Sequence, residues 1–148
     1  MSKLYMGFDA GTQSVKVAVY DEQFNCLTSH SLPTHLHYPQ PGWVEMSADE
    51  FLEITVKSMA ACAQSLREMG RDPKDVCAVM GDGIICGIVG VNPDGDAVTP
   101  YINYLDSRTT PDVEALNARE LEIWGRETGN PVASPMFPAM FARWFLKN

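Results

Sequence analysis

The sequence has no CxxC pair, no excess of basic residues and no long apolar run. Cys26, Cys62, Cys77 and Cys86 stand 36, 15 and 9 residues apart, so neither a zinc ribbon nor a thioredoxin-type site is signalled. Three of them lie in apolar runs and read as buried free thiols, which points to a reducing, cytoplasmic setting. No stretch reaches the roughly 18–20 apolar residues of a membrane helix, so no membrane partner is expected. Met1-Ser2-Lys3-Leu4-Tyr5-Met6 passes at once to Gly7 and Asp9, which is not a signal-peptide pattern. With 11 basic and 19 acidic groups the net charge is −8, a poor sign for gripping a nucleic-acid backbone. A nucleotide stays open, because such sites use local amides and Mg²⁺ rather than net charge. Internal repeats and low-complexity segments are lacking too. What remains is 148 residues, 45% of them hydrophobic, enough for one domain or part of a larger one.

Alternation of apolar residues predicts strands over residues 3–9 and 15–20 and from Cys26 to about Leu36, joined by tight turns. Gly11 in the first turn is free to take a positive φ. Pro33 places the third strand at an edge or marks its end. Ser47-Ala48-Asp49-Glu50 reads as a capping box opening a helix that Gly70 ends. Its apolar stripe is Phe51, Thr55, Met59, Cys62, Leu66 and Met69. Val76 to Met80 is apolar enough for a central strand, and Ile84 to Val91 reads as a fifth. Asn92-Pro93-Asp94-Gly95-Asp96 is a turn before a short extended piece, Ala97 to Tyr104. Helix is expected from Thr110-Pro111-Asp112 to Arg126, with room for a break, and again over Phe137 to Lys147. The order β-β-β-α-β-(β)-α is the ribonuclease-H-like, actin-like ATPase arrangement: an α/β core with a mixed sheet.

One constellation carries phosphate chemistry. Asp9-Ala10-Gly11-Thr12-Gln13-Ser14-Val15-Lys16 spans the first hairpin. Asp9 ends a strand, where a carboxylate can face a metal. Gly11 lets backbone approach an anion, turn amides with the Thr12 and Ser14 hydroxyls can hold phosphate oxygens, and Lys16 adds a point charge. A plain glycine turn with a surface lysine explains the same residues.

Residues 5–20 resemble the first phosphate motif of the FGGY carbohydrate kinases, Asp-x-Gly-Thr-x-Ser-x-Lys/Arg, at every fixed position. Three further stretches resemble that family in the same order. These are Pro41-Gly42-Trp43-Val44-Glu45, Pro100-Tyr101-Ile102-Asn103-Tyr104-Leu105-Asp106-Ser107-Arg108, and Thr128-Gly129-Asn130-Pro131. The resemblance implies transfer of the γ-phosphoryl group of ATP to a hydroxyl of a small-molecule sugar or polyol, with Mg²⁺. It implies that Asp9 holds the metal shell, that Gly11, Thr12, Gln13 and Ser14 cradle phosphates, and that Lys16 supports them. It places the sugar against Gly83, Ile85, Cys86, Tyr104 and Asp106.

The departures are chemical as well as in length. Xylulose kinases of that family carry Gly-Gln-Met-His, and glycerol kinases Asn-Gln-Arg-Glu, where this chain has Gly83-Ile84-Ile85-Cys86. Ile85 and Cys86 cannot make the hydrogen bonds of an Arg and a Glu, which disfavours glycerol. Tyr104 replaces a tryptophan, Leu105 removes a polar contact, and Phe141 stands where many relatives have lysine. The family's catalytic base and its second, adenosine-binding domain lie beyond Asn148. The chain is therefore expected to be the N-terminal part of the first kinase domain, inactive in isolation.

Other readings compete. A non-catalytic remnant or phosphate-binding module would use the hairpin alone. Asp9, Glu50 or Glu53, and Asp82 mimic the carboxylates of a ribonuclease-H-like nuclease, against which stand the acidic charge and the use of Glu50 in the capping box. His35 and His37 share a strand face that could bind Zn²⁺, beside His30, but no third ligand is spaced nearby. Cys86 is a candidate reactive thiol or a buried one. With Trp43, Trp124, Trp144, Phe137, Phe141 and Phe145 in so short a chain, some aromatics are expected exposed, favouring homo-oligomers or a missing C-terminal covering.

Overall fold

The computed structural model of the chain describes residues 3–119 and 122–148. In chain order the elements are β1 (Leu4–Ala10), β2 (Ser14–Tyr20), β3 (Cys26–Pro33), β4 (Glu45–Met46), α1 (Ala48–Glu68), β5 (Val76–Gly83), β6 (Tyr101–Ile102), α2 (Thr110–Asn117), α3 (Glu122–Thr128) and α4 (Pro138–Lys147). They form two compact units. The first is the chain up to His35 with Asp49–Ile84, and the second is Leu36–Ala48 with Ile85–Asn148.

The first unit is a four-stranded mixed sheet, β3-β2-β1-β5, with α1 on one face. The three opening strands are antiparallel neighbours, and β5 returns after α1 to pair parallel to β1. Alternation sends Leu4 and Met6 of β1 and Val15, Val17 and Val19 of β2 to the helix side, where Cys62 and Leu66 of α1 close the core. Tyr5, Gly7 and Asp9 fall on the opposite face by the same period.

The buried stripe of α1 runs through Ser58, Cys62 and Leu66, with Phe51, Ile54 and Met59 packed beside it. Met69 lies outside it, 52% exposed, because the helix has already ended. Gly70 at φ +74° donates to the Arg67 carbonyl and Arg71 donates to Leu66, the paired bonds of a Schellman stop. His35 meets Glu50 at 2.7 Å at the helix start.

Two strand expectations are corrected. β5 is an edge strand of the described sheet, so Val79 and Met80 are exposed rather than central. Ile84 to Val91 forms no strand. It makes only single bridges, Ile88 with Ile102 and Val91 with Ala97, because Cys86 and Gly87 both take positive φ and turn the chain. The edge position also exposes Cys77, expected buried, whereas Cys62 is buried and Cys86 half-buried; all four are free thiols. Burial pushes the Cys62 thiol pKa up.

The second unit is a short antiparallel ribbon, β4 with β6, and three helices. Val113 of α2, Ala133 and Met140 of α4 form its helical core, with Leu116, Trp124 and Phe137 against them. The helical sequence expected over Thr110–Arg126 is divided between α2 and α3, and part of the break lies outside the described residues. No helix among the described residues is long and apolar enough to cross a membrane.

The packing of α1 on the sheet gives a stability prediction. Leu66→Ala removes a fully buried side chain and is expected to cost about 2–5 kcal/mol, read as a lowered denaturant midpoint with unchanged slope.

Candidate functional site

The first unit brings the hairpin residues together. Asp9 and Lys16 are register partners on β1 and β2, and their charged ends lie 3.9 Å apart, both more than half exposed. Such a pair is screened and adds little stability, so both groups are available to a ligand. Between the strands, residues 11–13 make a turn closed by the Gly11 amide donating to Ser14 O at 3.1 Å. Gly11 is needed for close approach rather than for a positive φ: a Cβ there would sit 3.1 Å from Ser14 O and 3.6 Å from Asp9 Oδ1.

Thr34 orients the turn. Its hydroxyl donates to Thr12 O at 2.6 Å and its amide to Gln13 O at 3.1 Å. The turn's carbonyls are thereby tied back, while the amides of Thr12 and Gln13 have no protein acceptor among the described residues. Donors bare and acceptors occupied is the polarity an anion requires. On the same side of the sheet a cavity of about 600 Å³ is lined by Gly7, Asp9, Lys16, Ala18, Tyr20 and Ser29 among others.

Asp82 lies directly beside Asp9, as its register partner on β5, and accepts the Gly83 amide at 2.8 Å. The third carboxylate of a nuclease cluster does not join them: Glu50 meets His35 and Glu53 pairs with Lys57 at 2.6 Å. Among the described residues no group of three or more His, Cys, Asp or Glu side chains gathers as a metal cage. His35 belongs to the first unit, whereas His37 continues the β4 ribbon by pairing with Glu45. His30 bonds Ser65 at 3.0 Å.

The second unit holds most of the expected sugar residues; Gly83 ends β5 in the first. Ile85 is 81% exposed. Cys86, at φ +69°, has its carbonyl held by the Tyr101 hydroxyl at 2.6 Å. Burial pushes the Tyr101 pKa up to about 12, with Cys86 and Tyr104 adding repulsion. Tyr104 and Leu105 form the tip of a turn closed by the Asp106 amide donating to Asn103 O at 3.0 Å.

Asp106 is placed otherwise than as a sugar contact. Its side chain is 0% exposed, and Oδ2 accepts the Val44 amide at 2.6 Å and Arg108 Nη2 at 2.8 Å. Oδ1 accepts the Arg108 amide at 2.8 Å and Nε at 2.9 Å, so the carboxylate's acceptor sites are filled. Arg108 also donates to Glu45 Oε1 at 2.6 Å, and its guanidinium lies 3.7 Å from the Trp43 ring centre and 5.1 Å from that of Trp144. Burial pulls its pKa down, but the hydrogen bonds it donates to Asp106 and Glu45 outweigh that and hold it above its ordinary value. The clasp absorbs Trp43 and Trp144, Trp124 stacks on Phe137, and Phe141 is buried; of the six aromatics singled out, Phe145 is the exposed one.

Comparison with known proteins decides what these elements belong to. The N-terminal-domain model of the FGGY family of carbohydrate kinases matches residues 4–148. The chain belongs to that family. It is 31% identical over 147 residues to the glycerol kinase of Halorhodospira halophila, covering 97% of this chain and 28% of that protein. It is 30% identical over 145 residues to the glycerol kinase of a Geobacter species, strain M21, covering 95% and 28%. The crystal structure of a xyloylose kinase from Brucella ovis superposes with a TM-score of 0.87 at 23% identity, over 98% of this chain and 29% of that one. The gluconate kinase from Lactobacillus acidophilus gives 0.87 at 23%, over 100% and 29%. The chain thus spans under a third of the length of these kinases, and it shares their actin-like, ribonuclease-H-like fold.

Within this member of the family, the holding roles of Thr34, Tyr101 and the Glu45–Arg108 pair were not legible in the sequence. The charges of the last are legible, but 63 residues separate them and no local pattern links them.

Two predictions test the clasp and the turn. Arg108→Ala strands the buried Asp106 carboxylate and is expected to cost about 3–5 kcal/mol in chemical denaturation, with Arg108→Lys recovering only part, since an ammonium cannot form the paired fork. Tyr101 is expected to titrate near pH 12 in tyrosinate absorbance. Because its folded pKa is raised, its contribution to stability is complete below about pH 10 and is lost as the pH climbs toward 12; Tyr101→Phe removes that late step.

Proposed function

We propose that this chain is the front of the first domain of an ATP-dependent carbohydrate kinase, holding the phosphate turn and one wall of the acceptor site. The bare amides of Thr12 and Gln13, with their carbonyls tied to Thr34, carry this reading. In the reaction the acceptor's hydroxyl oxygen bonds to the γ-phosphorus while the bond from that phosphorus to the ADP oxygen breaks, and the hydroxyl proton passes to a base. No residue of this chain is assigned as that base.

The residues present fit a metal–nucleotide. Asp9 is an exposed carboxylate at a strand end, suited to a Mg²⁺ shell, and the ion would supply charge neutralisation to the transferring phosphoryl group. Thr12 and Gln13 would donate to phosphate oxygens, Gly11 would leave room for them, the Ser14 hydroxyl would add a donor, and Lys16 would add positive charge. Tyr104 would wall the acceptor site, and Asp106 would act through Arg108 and Val44 by fixing the turn that carries Tyr104. A sugar or polyol is the expected acceptor, and the substrates named for the relatives, glycerol and gluconate among them, mark the range. The remnant and nuclease readings have no specific observation in their favour.

Asp9→Asn in the full-length protein is expected to lower kcat for ADP release with sugar by at least about 10²-fold and to weaken the Mg²⁺ dependence of nucleotide binding, measured by a coupled assay and by calorimetry. Unchanged kcat and unchanged Mg²⁺ dependence would remove Asp9 from the mechanism.

A further inference from the structure

Thr34 lies outside the phosphate motif, just past the end of β3, and both of its chain neighbours are held within the first unit. Pro33 is the register partner of Ser14 on β2, and His35 meets Glu50 of α1 at 2.7 Å. Between them Thr34 is half-buried and reaches the turn with two donors. Its amide donates to Gln13 O at 3.1 Å and its hydroxyl to Thr12 O at 2.6 Å. Gly11 O lies 3.5 Å from the same hydroxyl, but a hydroxyl has one proton, and the shorter bond takes it.

Peptide planarity converts that bond into a direction for an amide. The peptides of the turn are trans, so each N–H points opposite to the C=O of the residue before it. Thr12 O and the Gln13 N–H share one such plane. With Thr12 O drawn toward Thr34, the Gln13 N–H is turned away from Thr34, and it has no protein acceptor among the described residues. Without the hydroxyl that plane loses its tether. The Thr12 carbonyl is then free to rotate, and a flipped peptide presents an acceptor where an anion needs a donor. The Thr34 amide cannot compensate, because it holds the next plane through Gln13 O.

We propose that Thr34 is a positioning residue for the nucleotide phosphates: its hydroxyl, by holding Thr12 O, keeps the Gln13 amide aimed at the anion. The inference rests on the carbohydrate-kinase reading above and adds to it the side chain, from outside the motif, that sets nucleotide affinity. An amide that serves the bound nucleotide and the transition state alike acts on KM rather than on kcat.

The test uses the full-length protein. Binding of a non-hydrolysable ATP analogue with Mg²⁺ is measured by calorimetry. Steady-state kinetics are measured with ATP and whichever of glycerol, D-xylulose and D-gluconate is phosphorylated. Thr34→Val keeps the branched side chain and removes the hydroxyl. It is expected to weaken analogue binding and to raise KM for ATP, each about 10-fold, with kcat and the acceptor KM unchanged. Thr34→Ser keeps the hydroxyl and is expected to stay within about 2-fold of the parent protein. A hydroxyl that served the fold alone would move the melting temperature and not this split. Thr34→Ala removes the same hydroxyl and takes the place of the valine variant if that one does not fold. Unchanged analogue affinity and unchanged KM for ATP in a folded valine or alanine variant would overturn the inference and leave the kinase reading intact. A serine variant as impaired as the valine one would overturn it too, as would failure of both hydroxyl-free variants to fold. Absence of analogue binding by the parent protein, with no phosphorylated product from the three acceptors, would overturn the kinase reading and this inference together.

Discussion

The double pairing of β1, antiparallel to β2 and parallel to β5, decides where every side chain of the first unit can go. Once both neighbours are in register, the period of two leaves no choice: Leu4 and Met6 go under α1, and Asp9 goes to the other face. A slip of one residue would bury Asp9 and expose Leu4. The same register sets Lys16 and Asp82 on either side of Asp9 and ends the strand where the turn amides begin. The chemistry of the turn is thus a by-product of a hydrophobic decision made by five aliphatic side chains. Thr34, arriving from the end of β3, then occupies the turn's carbonyls and leaves its donors free.

In the second unit a buried charge plays the comparable part. Arg108 is 3% exposed, and Asp106, Glu45 and two indole rings surround it. An isolated guanidinium there would be very costly to desolvate, and the paired fork to Asp106 offsets that cost only while the geometry holds. The arrangement therefore specifies one position for the segment between Asn103 and Arg108 more than it adds stability. Tyr104 at the tip of that segment inherits the precision.

Much of this was legible in the sequence. The alternation in β1 and β2, the stop at Gly70 and the resemblance of four ordered motifs led to the mixed sheet and to the kinase family. The hairpin that carries Asp9 to Lys16 was readable because its pairing is local. What was not readable depends on distance in the chain. The apolar run Ile84 to Val91 looks like a strand by composition, and only the left-handed pair Cys86 and Gly87 prevents it. Asp106 looks like a ligand contact from its place in a motif, but the Val44 amide, 62 residues away, and the Arg108 guanidinium occupy its carboxylate. Apolar content likewise suggested a central β5, whereas neighbour order is a property of the sheet and not of the strand.

The most direct test of the account is a crystal structure of the full-length protein with Mg²⁺ and a non-hydrolysable ATP analogue. The account predicts phosphate oxygens within hydrogen-bonding distance, about 2.7–3.2 Å, of the Thr12 and Gln13 amides, with the Asp9 carboxylate on the metal's side. Phosphates bound elsewhere, with those two amides facing solvent, would contradict it.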